Sequence, residues 1–198
     1  MTHDAAVAQT PAWSPDGRSL AFTSRRGTDP RAHTIHVLPM DGPGEPIIVA
    51  RLAEPATGLR WSPDGMWIAF TARRRDERYD ETDPRRQPPR RITRFLSSLD
   101  GEGWVHDRPE HVWAVPGDGT AAPIDLTPGE FAFSSPAWRP DSTGLVVEGA
   151  GHDTWDLDLA SDLWAVALDG TRQRLTPGTG NYHHPAVSPD GERVAFLG

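Results

Sequence analysis

Apolar residues alternate with small or polar ones in four short stretches, and each stretch follows a tight-turn signal. In the first, Leu20 and Phe22 flank Ala21, and Pro15, Asp16 and Gly17 come just before. A period of two residues is typical of a β-strand. Proline before the aspartate and glycine after it favour a tight reversal of the chain. Each stretch therefore predicts the second strand of a β-hairpin.

The four hairpins are copies of one repeat, which aligns without gaps. Their aspartates are separated by 48, 77 and 49 residues, so the middle spacing contains one period and an insertion of about 28 residues. Internal repeats of this length indicate a repeat architecture. The copies are PAWSPDGRSLAF (11–22), LRWSPDGMWIAF (59–70), PAWRPDSTGLVV (136–147) and PAVSPDGERVAF (185–196).

A second motif recurs between the hairpins, and each copy predicts a strand that ends at an Asp-Gly turn and precedes another short strand. Four antiparallel strands per repeat of about 48 residues are typical of a β-propeller blade. No stretch has a sustained apolar period of 3.6 residues, so we expect almost no helix. The copies are HTIHVLPMDG (33–42), EHVWAVPGDG (110–119) and SDLWAVALDG (161–170).

The fold class that these patterns predict is all-β: a β-propeller of four-stranded antiparallel blades, incomplete at about three and a half blades. Closed propellers have about four to eight blades, so we expect the chain to be the front portion of a longer protein. Self-association of two half rings through exposed blade faces is the alternative. The expected blades are about 8–50, about 56–128 with an Arg/Pro-rich insertion at about 73–103, about 133–178, and a half blade at 182–198.

Composition excludes or disfavours several kinds of site and partner. The chain has no cysteine, which excludes disulfides, thiolate nucleophiles and cysteine metal sites. A net charge of −8 disfavours nucleic-acid binding. No apolar run approaches the roughly 20 residues of a membrane span, and the N-terminus has no basic, apolar signal segment. We therefore expect a cytoplasmic protein with no membrane and no nucleic-acid partner.

Positive charge is concentrated in the insertion. Residues 73–94 contain nine arginines and five acidic residues, which include Asp80, and prolines such as Pro84 interrupt regular structure there. Because guanidinium groups pair with carboxylates through two hydrogen bonds, the segment predicts contact with a partner domain or an acidic peptide. The alternative is a solvated loop whose charges largely cancel.

The sequence gives only weak support for a metal site or a catalytic site. The acidic stretch 151–162 has neither the glycine nor the final glutamate of a calcium loop, so it predicts an ordinary blade loop. His183 and His184 are adjacent on a predicted strand and point to opposite faces, which disfavours a shared zinc ion. No pair of carboxylates stands out for glycoside hydrolysis. We predict no metal and no cofactor.

The insertion and the strand after it resemble the acylaminoacyl-peptidase branch of the prolyl oligopeptidase family of serine peptidases. The resemblance rests on Arg-x-Ile-Thr-Arg and Asp-Gly-Glu-Gly-aromatic segments followed by His-x-Trp-x-Val. The blade repeat alone is shared with TolB-type propellers. The matching residues are Arg91–Arg94, Asp100–Trp104, His111, Trp113 and Val115.

The resemblance implies a parent peptidase whose propeller covers a C-terminal α/β-hydrolase domain and restricts which peptides reach it. The nucleophile of such a domain lies in a Gly-x-Ser-x-Gly segment, and this chain has none, so no catalytic residue is assigned. The alternative is a stand-alone TolB-like module for protein–protein interaction. The candidate partner or substrate contacts are Arg91, Arg94, Glu102, Trp104 and His106.

Overall fold

The structure is a computed structural model, and it describes residues 8–25, 33–79, 81, 83 and 85–198. Segments 1–7 and 26–32 and positions 80, 82 and 84 lie outside the described residues. Three residues of the predicted insertion, Asp80, Thr82 and Pro84, are among them, and so is part of the predicted first blade.

Three four-stranded antiparallel sheets follow one another along the described chain, each with its strands in chain order. The first contains β1 (Ala8–Trp13), β2 (Ser19–Ser24), β3 (His33–Pro39) and β4 (Ile47–Leu52). The second begins with β5 (Ala56–Trp61) and β6 (Trp67–Arg73). The insertion follows and forms a separate hairpin of β7 (Ser98–Leu99) and β8 (Gly103–Trp104). The second sheet ends with β9 (Glu110–Pro116) and β10 (Ile124–Asp125).

The third sheet and a final hairpin complete the described strands. The third sheet contains β11 (Phe133–Trp138), β12 (Gly144–Gly149), β13 (Asp162–Ala167) and β14 (Arg172–Arg174), and β15 (His183–Val187) pairs with β16 (Val194–Leu197). Among the described residues, helix is confined to one 3-10 turn, Glu77–Tyr79, and one α-helical turn, α1 (Trp155–Asp158). The prediction of an all-β propeller with almost no helix is confirmed.

The sheets stack as blades, with a hydrophobic layer between each pair. Ile35, Ile68 and Phe70 belong to the layer between the first and second sheets. Val112 and Leu145 belong to the layer between the second and third. The first strands of successive blades lie against one another: β1 against β5, β5 against β11, and β11 against β15. They therefore form the inner wall of the propeller.

The repeat tryptophan links each blade to the one before it. The Trp61 indole Nε1 donates a hydrogen bond to the Ala12 carbonyl at 3.1 Å. The Trp138 Nε1 donates to the Arg60 carbonyl at 2.9 Å. Each acceptor directly precedes the tryptophan position of its own blade, so the bond repeats with the blades. Trp13, in the first blade, is 56% exposed.

A β-bulge interrupts the first strand of every blade at the same repeat position. The register shifts between Gln9 and Ala12, and the other three first strands shift at equivalent pairs. A bulge bends the strand and increases its twist. The residues with positive φ at the bulges are Thr10, Gly58, Ser135 and His184.

The Pro-Asp-Gly turns are fixed by a local network of side chains. In the first, the Ser14 hydroxyl donates to the Asp16 carboxylate at 2.6 Å, and the Arg18 amide donates to the same oxygen at 3.0 Å. The Ser14 and Arg18 hydrogen bonds together hold the pKa of Asp16 below its ordinary value. These turns lie at the opposite end of the strands from the insertion.

Candidate functional site: the insertion cleft

The insertion between β6 and β9 is fastened to the propeller by arginines. The Arg108 guanidinium donates to the carbonyls of Trp104 and Glu102, both at 2.9 Å, and so holds the β7–β8 hairpin. Its third contact is an ion pair of 2.8 Å with Glu54, in the connection between the first two blades. Arg108 therefore ties the insertion to the junction of these blades.

A second fastening joins the hairpin to the second blade. The Arg73 side chain, at the end of β6, forms an ion pair of 2.6 Å with Glu102 and donates to the Arg108 carbonyl at 3.1 Å. The Nε and a terminal nitrogen of Arg73 both approach the same Oε2 of Glu102, at 2.8 and 2.6 Å. Hydrogen bonds between charged groups such as these are stronger than bonds between neutral groups.

Arg90 lies at the centre of the side-chain contacts within the insertion. Its Nε donates to the Asp107 carboxylate at 2.7 Å, and both side chains are largely buried. The guanidinium carbon lies 3.8 Å from the centre of the Tyr79 ring and 5.4 Å from that of Trp104. Cation–π contacts of this kind are attractive, and they strengthen as water is excluded.

The far end of the insertion reaches the third blade. The Arg94 guanidinium donates to the Asp153 carbonyl and lies 3.8 Å from the Glu130 carboxylate. The Phe95 amide donates to the buried carboxylate of Asp156 in helix α1. The insertion therefore bridges blades two and three.

A cleft of about 1190 Å³ lies between the insertion and the edges of these blades. This volume exceeds the roughly 300–1,000 Å³ of small-molecule pockets and suits an extended ligand. Charged groups of both signs line it, with tryptophans at its walls. The lining includes Arg74, Arg91, Arg94, His106, Asp107, Glu110, Trp113, Glu130 and Trp155.

Three buried polar atoms of the cleft have no hydrogen-bond partner among the residues that the structure describes. They are the Nδ1 of His106, the Oδ1 of Asp107 and the indole Nε1 of Trp155. Buried polar groups are almost always paired, because an unpaired one loses its hydration without compensation. All three belong to residues that line this one cleft.

The cleft contains three of the five sequence-predicted contact residues. Arg91, Arg94 and His106 line it. Glu102 does not, because its carboxylate pairs with Arg73. Trp104 lies behind the lining, with its ring edge-on to His106 at 6.2 Å between centroids.

Sequence reasoning missed Asp107, Glu110 and Trp155 as cleft residues. Trp155 occurs in the acidic stretch that was predicted to be an ordinary loop, and no motif distinguishes it. Glu110 opens β9 and is paired with Arg73 in the sheet register. Its position at a strand end beside an insertion was the available signal, since such ends often carry functional groups.

Burial raises the pKa of the Glu110 carboxyl above its ordinary value. The positive charge of Arg73 opposes this shift, and the negative charges of Glu102 and Glu148 add to it. A carboxyl with a raised pKa favours its protonated form in the folded chain, so the stabilisation is full below the unfolded pKa and is lost as pH rises through the folded pKa.

Replacement of Glu110 by glutamine, which mimics the protonated carboxyl, should therefore matter only at higher pH. We expect the melting temperature of Glu110→Gln to approach that of the parent at about pH 4 and to exceed it at about pH 8. Thermal melts of both proteins across this range measure the difference. Glu130→Gln, at an exposed carboxylate of the same cleft, is the matched control. A constant difference between Glu110→Gln and the parent would contradict the assignment.

Carboxylates of the acidic stretch 151–162 are engaged by neighbouring protein groups. Asp158 accepts hydrogen bonds from Thr154 and Ala160 and contacts His152 at 3.0 Å. Asp162, almost fully buried, accepts from Thr176 at 2.6 Å and from the Gly178 amide at 3.0 Å. Within the described ranges, no group of three or more acidic or histidine side chains is arranged to hold a metal ion.

Comparison with solved structures identifies the fold. TolB from Acinetobacter baumannii superposes with a TM-score of 0.52 at 16% identity, over 97% of this chain and 38% of that one. An acylaminoacyl peptidase from Pyrococcus horikoshii gives a TM-score of 0.69 at 18% identity, over 96% of this chain and 28% of that one. A puromycin-hydrolyzing peptidase from Mycobacterium tuberculosis gives 0.61 at 19% identity, over 97% and 28%.

The chain therefore has the β-propeller fold of TolB and of these peptidases, and it spans well under half the length of these three proteins. No protein-family model and no curated protein matches the sequence. Among the residues that the structure describes, no helix is long and apolar enough to cross a membrane.

Proposed function

We propose that this chain is a non-catalytic propeller portion of a serine-type peptidase, in which it restricts the access of peptides to a C-terminal α/β-hydrolase domain. The observation that carries the proposal is the fastened insertion. Three arginines attach it to the junction of blades one and two, to blade two and to blade three, so it forms a fixed wall beside a peptide-sized cleft. A wall that bounds a cleft selects ligands by size and charge.

The resemblance of the insertion to the acylaminoacyl-peptidase branch supports this proposal, and so does the TM-score of 0.69 with a peptidase of that name. The insertion sequence is the part of the chain that distinguishes this branch from generic blade repeats. A cytoplasmic location remains a prediction from the sequence.

A stand-alone TolB-like module for protein–protein interaction is the second candidate. The likeness to TolB over 97% of this chain favours it. Exposed apolar residues on the first and last described blades also favour an interaction surface: Trp13 is 56% exposed, Phe196 47% and Leu197 63%. Self-association through these faces remains a prediction.

The sequence of the source transcript beyond codon 198 separates the two candidates. The peptidase proposal expects further blades and then a Gly-x-Ser-x-Gly segment with later aspartate and histidine. A transcript that continues only into blades, or that ends, would contradict it and support the interaction module.

Weakening the attachment of the insertion in the full-length protein should change its selectivity for peptide length. Arg108→Gln removes the ion pair to Glu54 and weakens the hold on the hairpin. We expect the ratio of kcat/KM for a long peptide over a short one to rise several-fold, because a less fixed insertion excludes long peptides less well. Arg193→Gln, at an exposed turn of the last hairpin, is the control. An unchanged ratio in Arg108→Gln would contradict the gating role.

A further inference from the structure

Most arginines of the cleft already have partners. Arg73 pairs with Glu102, Arg78 with Asp76, and Arg94 with Asp153 and Glu130. These guanidinium groups are occupied, so they fasten the insertion and are not free to bind a ligand.

Two arginines of the lining, Arg74 and Arg91, differ from them. Arg91 is the one that the buried Arg90 adjoins. It lines the cleft and is exposed, and within the described part of the chain its side chain has no ion pair and no hydrogen bond. It is also one residue away from the buried Arg90, whose fixed side chain holds this segment in place. An unpaired guanidinium on a fixed backbone is suited to a planar anion, which it binds through two parallel hydrogen bonds.

The buried atoms of the cleft that have no hydrogen-bond partner are a second observation. The Asp107 side chain is 8% exposed, and its Oδ2 is held by Arg90 while its Oδ1 accepts no hydrogen bond. The Trp155 Nε1 donates none. Both atoms are covered in the free chain, so a peptide whose amide N–H and carbonyl pair with them must displace the side chains that cover them.

We propose that the insertion cleft binds a peptide through a carboxylate, with Arg91 as the anchoring cation and with Asp107 and Trp155 as contacts for the peptide backbone. The inference rests on the proposed function for its choice of a peptide over other carboxylates. The carboxylate belongs either to the C-terminus of the peptide or to an acidic side chain, because the guanidinium recognises both in the same way.

Fluorescence anisotropy on the full chain tests the proposal with three labelled alanine-rich peptides of equal length. The first has a free C-terminal carboxylate, the second is amidated and neutral, and the third is amidated with one internal glutamate. We expect at least one carboxylate peptide to bind about tenfold more tightly than the neutral one, as a charge-assisted hydrogen bond implies. The first and third peptides distinguish the two sources of the carboxylate.

Arg91→Gln should abolish this difference between the peptides. Arg86→Gln, at an exposed arginine of the same insertion outside the cleft lining, should leave it intact. Trp155→Phe keeps an aromatic ring and removes the indole N–H, so it should weaken all three peptides by a similar factor without lowering the melting temperature. Equal binding of the three peptides, or an Arg91→Gln protein that still prefers a carboxylate, would overturn the proposal.

The outcome is separable from that of the proposed function. Binding is measured without hydrolysis, whereas the transcript decides whether a hydrolase domain follows. A hydrolase domain with no carboxylate preference would refute this inference alone. Carboxylate-dependent binding in a chain followed only by blades would refute the peptidase assignment and retain the binding site.

Discussion

Truncation of Trp138 to alanine is expected to lower the free energy of unfolding by about 3–5 kcal/mol, the range for large aromatic residues in a core. Trp138 is only 9% exposed and packs in the layer between blades two and three. Its indole N–H also bonds to the Arg60 carbonyl at 2.9 Å, so the truncation removes packing and leaves a backbone acceptor without its partner.

The repeat supplies a matched control for this prediction. Trp13 occupies the same position in the first blade but is 56% exposed. Trp13→Ala should therefore cost about 1 kcal/mol or less, as expected for a surface substitution. Urea denaturation of both variants measures the two effects. Equal losses at Trp13 and Trp138 would show that the residue acts within its own blade and that the contact between blades contributes little.

Trp138→Phe isolates the hydrogen bond. The smaller ring retains most of the apolar packing, so a loss of about 1–3 kcal/mol is expected from the unpaired carbonyl and the missing ring atoms. A loss as large as that of the alanine variant would assign the effect to the indole N–H and the ring atoms that phenylalanine lacks, and not to the packing that phenylalanine retains.

The strands and turns could be predicted because their signals are local. An alternation such as that around Phe70 and a turn such as that at Asp64 depend on neighbouring residues, and the fourfold repeat makes them unambiguous. The acceptors of the Trp61 and Trp138 N–H groups lie in another blade, 49 and 78 residues away. Such a bond exists only after the blades pack, so no local pattern contains it.

The sequence also contains a signal for the bulges, and it is separate from the alternation of apolar and polar residues. Pro11, Pro136 and Pro185 directly follow the bulged residue in three of the four blades. Proline cannot donate to a ladder of hydrogen bonds, so within a strand it is favoured at an edge or a bulge. The proline therefore marks the interruption, whereas the apolar pattern alone predicts a regular strand.

The insertion could be predicted as a charged segment but not as a built site. Composition shows many arginines and acids, and it cannot say which of them pair. Arg90 reaches Asp107 across 17 residues, and Arg94 reaches Asp153 across 59. Arg91 becomes distinctive only once its neighbours are seen to be occupied, which is a property of the folded chain.

Loss of the Asp107 carboxylate is expected to open the insertion. Its partner Arg90 is 18% exposed at the side chain, so Asp107→Ala leaves an uncompensated charge in a largely buried place. Breaking one side of such a pair costs about 3–5 kcal/mol. The loss is local, because the pair lies within the insertion, away from the layers between the blades.

Hydrogen exchange measures this local loss. The Val105 amide, which bonds to the Ser97 carbonyl at 2.9 Å inside the insertion, should exchange about a hundredfold faster or more, whereas amides of β12 should be unaffected. Asp76→Ala breaks a pair of 2.6 Å whose arginine, Arg78, is 73% exposed, and it should change exchange little because exposed pairs contribute about 1 kcal/mol or less. If both variants accelerate Val105 equally, burial of the Arg90 pair does not hold the wall. If only Asp107→Ala does so, the shape of the cleft depends on the buried pair of Arg90 and Asp107.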